Sequence, residues 1–433
     1  MSDINNNHEL PQVTIMNKLV TSKLTAILSM AVCCAAIMAA AAPLHAADMN
    51  DFIISYWCGP PSGGNYDQQY AEVAECNFTH AMFPVNGGNP QQNKEILDAC
   101  QKHGLKYIPS DGRILAHAPG DPKFAANLDA IVAEYANHPA MAGHFITDEP
   151  APGAFPLLGA VNQYLLKKDP ERLPFINLLP TYVPESHIGM KYDQYVEQFC
   201  EKVRPRLLCY DHYALVKETE RSDYFNNMEI IRRNALKYDA AMGFIFQCTP
   251  HFAYRDPSET DLRWQVNTGL AYGCRALLYF TYFTPTVAQV NFHNGILDTK
   301  GNRTPHFAMA KAINGELKKL IPTLVQLTST AVYHAAPLPA GCTAVPAASP
   351  VHFDDGAPVV LGLFKHKDGS QWAMVVNRDL HKPLKTKLTF NNSITTPEEL
   401  SPQTGELSPV ALASHALDCE LPAGGIKVLK LTK

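Results

Sequence analysis

The chain has no basic excess. Its 433 residues carry a formal net charge of −5, whereas a nucleic-acid binder concentrates positive charge. No Cys-x-x-Cys pair or Cys/His cluster has zinc-ligand spacing, so no metal is expected. No Gly-x-Gly-x-x-Gly follows the first strand-like run, which leaves a dinucleotide fold without support. No apolar run beyond residue 42 is long enough to span a bilayer. With 46% hydrophobic and 18% charged residues, the composition excludes a disordered chain, a coiled coil and a collagen-like repeat. The cysteines form no disulfide framework. Eleven in all, they fall to nine beyond Cys33 and Cys34. Nine is odd, and several lie in apolar runs, so buried free thiols are expected.

The first segment is present for targeting. Residues 24–42 are almost wholly apolar, Lys18 and Lys23 precede them, and Pro43-Leu44-His45-Ala46-Ala47-Asp48 follows. A charged start, an apolar middle and a small-residue end are the marks of a secretory signal, with cleavage after Ala46 or Ala47. Met16 is an alternative start. The rival is an uncleaved membrane anchor, since about 20 apolar residues can span a bilayer. A lipid anchor at Cys33 is disfavoured by the poor context Met30-Ala31-Val32. The expectation is an exported protein, periplasmic or extracellular, with no stable membrane insertion after cleavage.

From Phe52 onward, short apolar runs alternate with amphipathic ones. Strands are expected over 52–57, 78–83, 106–109, 143–147, 175–179, 207–210, 242–246 and 276–281. Helices are expected over 66–76, 93–103, 123–135, 155–168, 192–202, 226–237, 259–272 and 305–320. In the first helix Tyr66, Tyr70, Val73 and Ala74 fall on one face. His103-Gly104 closes the second. Eight such units over about 270 residues predict an α/β fold, a (β/α)8 TIM barrel. After Leu324 the pattern changes. Residues 335–350 are rich in Ala and Pro without a helical period and read as a linker or irregular wrap. Runs at 359–364 and 372–377, joined by Lys367-Asp368-Gly369-Ser370, form a hairpin, and 384–390 and 425–431 continue as strands. The expected organisation is a signal over 1–47, a barrel over 48–328, a linker over 329–357 and a small antiparallel β-sandwich over 358–433. The tail either buttresses the barrel or binds sugar.

Barrel enzymes carry their chemistry at the C-terminal ends of the strands. There the sequence has Trp57, Asp111, Asp148-Glu149-Pro150, Asn177, Tyr182, Asp211-His212, Gln247 and Tyr282. The sequence holds 33 Pro, 19 Phe and 18 Tyr, and several Pro fall at or just beyond these ends. Acidic groups ringed by aromatics suit glycosidic cleavage, in which one carboxyl protonates the leaving oxygen and another attacks or activates water. Aromatic faces pack on sugar C–H surfaces while polar groups bind hydroxyls. Glu149 is the expected general acid, Asp211 its partner and Asp111 a reserve. Asp148 is expected to point to the other side of its strand and orient neighbours. Asn177, Tyr182, His212 and Gln247 are candidate hydroxyl binders, and Trp57 and Tyr282 candidate stacking platforms. Each has a plainer alternative: Glu149 as a helix cap, Asp111 as a turn neutralised by Arg113, Asp211 paired with His212, the aromatics as core.

The segment 143–150 (GHFITDEP), the run 265–283 (QVNTGLAYGCRALLYFTYF) and the ending 421–431 (LPAGGIKVLKL) resemble the (β/α)8 glycoside hydrolases of clan A, and loosely the family 42 β-galactosidases. The resemblance implies that Glu149 is the acid/base. It also exposes two departures. The clan's Asn before this Glu is Asp148 here, and its nucleophilic Glu on strand 7 is replaced by Gln247, a neutral amide. Other barrel glycosidases place carboxylates on strands 4 and 6, which implies Glu149 with Asp211. The expected activity is an exported glycosidase acting on an oligo- or polysaccharide without a cofactor. The alternatives are a catalytically inactive carbohydrate-binding barrel and a purely structural scaffold.

Overall fold

Eight short strands with apolar residues on both sides cannot stand alone in water, and here they close on one another. The computed structural model describes Met49, residues 51–217 and residues 219–432. The expected signal or anchor lies outside these residues. The barrel strands are β1 (Ile53–Trp57), β2 (His80–Met82), β3 (Lys106–Ile108), β4 (Gly143–Asp148), β5 (Leu173–Leu178), β6 (Leu207–His212), β7 (Ala241–Gln247) and β8 (Cys274–Phe280). Six pair in parallel in the order β1-β8-β7-β6-β5-β4, and β2 pairs with β3. Bridges at Gly59–Pro84, Tyr107–Met141 and Ser110–Phe145 complete the circuit. β1, β5, β6 and β7 are buried at every position, as parallel strands covered on both faces must be.

The outer layer consists of α1 (Tyr66–Glu75), α2 (Pro90–Lys102), α3 (Phe124–Tyr135), α4 (Phe155–Lys168), α5 (Tyr192–Val203), α6 (Tyr224–Lys237), α7 (Glu259–Tyr272) and α8 (Pro305–Leu324). Each follows its strand as the sequence pattern predicts. Tyr70 and Val73 are the buried face of α1. The nine described cysteines are all free, seven of them buried.

The tail is antiparallel throughout, and more of the chain joins it than the sequence suggests. Its strands are β9 (Leu327–His334), β10 (Val351–His352), β11 (Val359–His366), β12 (Gln371–Asn377), β13 (Leu384–Phe390), β14 (Glu398–Leu400), β15 (Leu407–Pro409), β16 (Ala416–Leu421) and β17 (Ile426–Leu431). One sheet runs β9-β11-β12-β17-β14-β15 and the other β10-β13-β16. Apolar side chains from both sheets, among them Val359, Leu361, Leu388 and Leu429, form a core of their own. The expected boundary at 328/329 is corrected: β9 crosses it, pairing with β11 from Leu327–His366 to His334–Val360. Thr328 and Thr330 are exposed and Ser329 lies between them, so its first half lacks the dense apolar run that marks a strand.

The tail and the barrel belong to one compact unit. α7 lies between them and is buried on nearly every face from Asp261 to Tyr272, the pattern of a helix enclosed on both sides. Trp264 Nε1 donates to the Arg378 carbonyl at 2.9 Å, and Asn267 Nδ2 donates to the Gly424 carbonyl at 2.9 Å. Gly362 of β11 passes so close that a Cβ there would stand 2.2 Å from the Ala271 carbonyl oxygen. A methyl group would force two backbones apart. Gly362→Ala is therefore expected to cost about 1–3 kcal/mol of stability, read as a lower denaturant midpoint with an unchanged far-UV spectrum.

Candidate active site

At the C-terminal end of the barrel, three carboxyls gather around one amide. Asn177, at the end of β5, donates through Nδ2 to Asp148 Oδ1 at 3.0 Å and to Asp211 Oδ1 at 2.9 Å. The Glu149 carboxyl lies near enough to Asp211 for the charge of Asp211 to raise it. Asn177 and Asp211 are each 3% exposed. Glu149 is open to solvent, yet protein closes round it on most sides. These two facts together describe a residue on the floor of an open cleft.

Two local distortions bring both acids of β4 to this point. Phe145 faces the barrel interior, where its ring meets Trp57, Phe83 and Phe175. Simple alternation from Phe145 would turn Asp148 outward, as the sequence leads one to expect. The pairing of β4 with β5 instead shifts register between Phe145 and Thr147 and then sets Asp148 opposite Asn177. A bulge of this kind re-aims the side chains beyond it. Glu149 then takes φ 42°, a left-handed backbone that a non-glycine residue adopts at a cost and that clusters at functional sites. Its amide donates to the Asn177 carbonyl at 2.9 Å. The expectation that Asp148 points away is thus corrected.

Burial dominates the electrostatics. It raises Asp148 to about 6, against the opposing pull of the Asn177 amide. It raises Asp211 to about 7, helped by the charge of Asp148 and opposed by hydrogen bonds from Asn177 and Glu149. It pushes Glu149 well above the usual carboxylate range, with the charges of Asp211 and Asp148 adding to the effect. Both acids therefore keep their protons to higher pH than ordinary carboxyls do. Cys58, at φ 54° just past β1, is pushed up to about 12 by burial and then by Asp148. It is a neutral thiol beside the acids.

The other expected residues divide. Trp57 is 6% exposed and joins Phe83, Phe145 and Phe175 in an aromatic floor below the carboxyls. Tyr182 stands at the rim, its hydroxyl accepting from the Tyr213 amide at 3.4 Å. Four expectations are corrected. Asp111 is held by Arg113, with Nη2 at 2.6 Å from Oδ2, and by the Tyr135 hydroxyl at 3.0 Å, so it faces the helix layer. His212 is fully buried on the outer side of β6, with Nε2 3.4 Å from Asp223 and its ring against Tyr224. Tyr282 is fully buried against Tyr56 and Phe78. Gln247 is fully buried, and its amide is occupied by backbone. Oε1 accepts from Leu215 N at 3.0 Å, and Nε2 donates to the carbonyls of Arg255 at 2.9 Å and Leu215 at 3.4 Å. It clamps two rim loops and touches no cleft.

One wall of the cleft was not singled out from the sequence. Tyr213 packs on Phe280 at 4.8 Å, His251 at 5.3 Å and Tyr254 at 5.8 Å. The charges of Asp211, Glu149 and Asp148 all bear on the Tyr213 phenol. The adjacent string Tyr210-Asp211-His212-Tyr213 carried the signal, because Tyr213 continues the inward alternation of Asp211 only after the strand has ended. A separate surface cavity of about 430 Å³ lies between Pro60, Gln69 and Lys300, and no carboxyl of the centre lines it.

No protein-family model matches the chain, and no curated protein matches it in sequence. Solved structures do match in shape. A β-galactosidase from Bacillus circulans sp. alkalophilus superposes with a TM-score of 0.57 at 9% identity, covering 89% of this chain and all of that one. A family 5 glycoside hydrolase from Bacteroides vulgatus gives 0.56 at 12% identity, covering 88% and 89%. A β-galactosidase from the psychrophilic Marinomonas ef1 gives 0.50 at 11% identity, covering 63% of this chain, which spans 62% of that one. The fold is that of the barrel glycoside hydrolases, with a parallel barrel followed by antiparallel sheets. Among the described residues no helix is long and apolar enough to cross a membrane.

The raised carboxyls fix the sign of a pH effect. A carboxyl whose pKa is raised on folding makes the folded state the better proton binder, so stability falls as pH climbs from the unfolded value near 4 through the folded one. Asp211→Asn removes that penalty. The variant is expected to outlast the wild type against denaturant at pH 8, with the advantage fading toward pH 4. An advantage that stays constant with pH would count against burial as the cause.

Proposed function

We propose that the protein is an exported glycoside hydrolase in which Glu149 is the general acid and Asp211 the partner carboxylate. The observation that carries this reading is the grouping of Glu149, Asp148 and Asp211 at the strand ends, with Asn177 bridging two of them and burial and neighbouring charge raising Glu149 well above the usual carboxylate range. A carboxylic acid kept neutral at working pH can protonate a departing glycosidic oxygen. Asp211, held by the Asn177 amide, is then the carboxylate that attacks the anomeric carbon or activates a water. Both carboxyls face the same end of the barrel, as a pair acting on one glycosidic bond must. Substrate then enters between the two, so that Glu149 passes its proton to the sugar oxygen. Asp148 adds negative charge where the sugar ring becomes positive. The aromatic wall of Tyr213 and Phe280 supplies a surface for the sugar.

One observation favours a second reading, a barrel that binds carbohydrate without cleaving it: strand β7 offers only the buried Gln247. The test separates the two. Glu149→Gln is expected to lower kcat on an accepted oligosaccharide by about 10²–10⁴-fold with little change in binding, and wild-type activity should fall as pH rises and Glu149 loses its proton. Cleavage by this variant at the wild-type rate would overturn the assignment. Tight glycan binding by the wild type without any product would favour the second reading.

A further inference from the structure

Most buried or half-buried arginines of this chain are matched. Arg113, Arg255, Arg263 and Arg303 each have a carboxylate oxygen at 2.6–2.8 Å. Arg172, Arg275 and Arg378 donate to backbone carbonyls. Arg221 differs. It stands in the loop between β6 and α6, on the face of the barrel that holds the carboxyls. Its guanidinium lies over the Tyr182 ring at 4.0 Å and near the Tyr254 ring at 5.7 Å. Among the described residues its one side-chain hydrogen bond is from Nη2 to the Tyr254 hydroxyl at 3.2 Å. Its Nε is buried without a partner, as are Arg172 Nε and Arg275 Nη1, but those two arginines also donate to backbone carbonyls. The nearby carboxylate of Asp223 accepts from Thr181 Oγ1 at 2.7 Å and lies 3.4 Å from His212, and no oxygen of it comes within ion-pair distance of Arg221.

The loops after β5, β6 and β7 thus hold one cation, through Tyr182, Arg221 and Tyr254. A guanidinium has five N–H donors in a planar fork, and among the described residues only one is engaged by protein. Stacking on aromatic faces fixes the plane and leaves its terminal nitrogens with donors to spare, which suits capture of a carboxylate. The position ties this cation to the catalytic floor. The Tyr182 hydroxyl accepts from the Tyr213 amide, and the charge of Asp211 bears on both phenols.

We infer that Arg221 is a specificity residue that binds an anionic substituent of the sugar, a uronate carboxylate, beside the hydrolytic centre. This rests on the reading of the cleft as a carbohydrate site and names the class of sugar it takes. A floor of three carboxyls repels an acidic sugar, and the Arg221 guanidinium at the rim, whose charge reaches Asp223 without a direct ion pair, offsets that repulsion and fixes which end of the ring faces Glu149.

The test is binding, independent of turnover. D-Glucuronate and D-galacturonate are titrated against D-glucose and D-galactose by NMR with the full wild-type chain, with Arg221→Met and with Arg221→Lys. The wild type is expected to bind one of the acids roughly tenfold or more tightly than its neutral counterpart. Arg221→Met, which keeps the stem on the Tyr182 ring, is expected to lose that preference while neutral-sugar binding and thermal midpoint stay put. Arg221→Lys should restore part of it. Equal binding of acid and neutral sugars by the wild type, or a preference that survives in Arg221→Met, overturns the inference and leaves the hydrolase reading standing. Failure of all four sugars to bind would overturn both.

Discussion

One side-chain amide makes the acidic end of the barrel possible. Carboxyls removed from water on the inside of a parallel barrel repel each other and lose hydration. Asn177 answers both costs at once. It is neutral, so it adds no charge of its own, and its two N–H groups point at two different acids. With Asp148 and Asp211 pinned on either side, their charges add to burial in raising the third carboxyl, Glu149, well above the usual range. The bulge in β4 and the left-handed turn at Glu149 are the backbone adjustments that bring the acids to that amide.

Much of the barrel was legible because its physics is local and repetitive. Each of the eight strands and helices begins or ends within a few residues of its expected place, since dense apolar runs and amphipathic periods set them. The cluster was legible as a set of strand-end residues, with Asp148, Glu149, Asn177 and Asp211 all named. Which way they point was not. Alternation is a rule for regular strands, and β4 is irregular where it matters. The fates of Gln247, Tyr282 and His212 were hidden for a related reason: a polar residue at a strand end faces cleft, loop or helix according to tertiary contacts that no spacing reveals. Arg221 lay in a loop without pattern, so only the convergence of three loops marks it.

Gln247 shows what a neutral amide does at the end of β7. Its amide ties Leu215 to Arg255, and its own backbone exchanges two hydrogen bonds with Gln265 of α7 at 3.0 and 2.9 Å. The two rim loops that carry Tyr213 and Tyr254 are therefore tied to α7 through a neutral, fully buried link. An acid at position 247 would place a fourth carboxyl next to backbone carbonyls, with no hydrogens to give them.

The enclosure of α7 also constrains how such a chain could be rearranged. With β-sheet on its outer side, this helix has no water-ready face. A barrel cut free of its tail would present Trp264, Leu270 and Tyr272 as an adhesive stripe, and a tail borrowed from another barrel would meet the wrong contour at Gly362. Parts are therefore expected to be exchangeable at the rim loops and not across the seam between barrel and sheets.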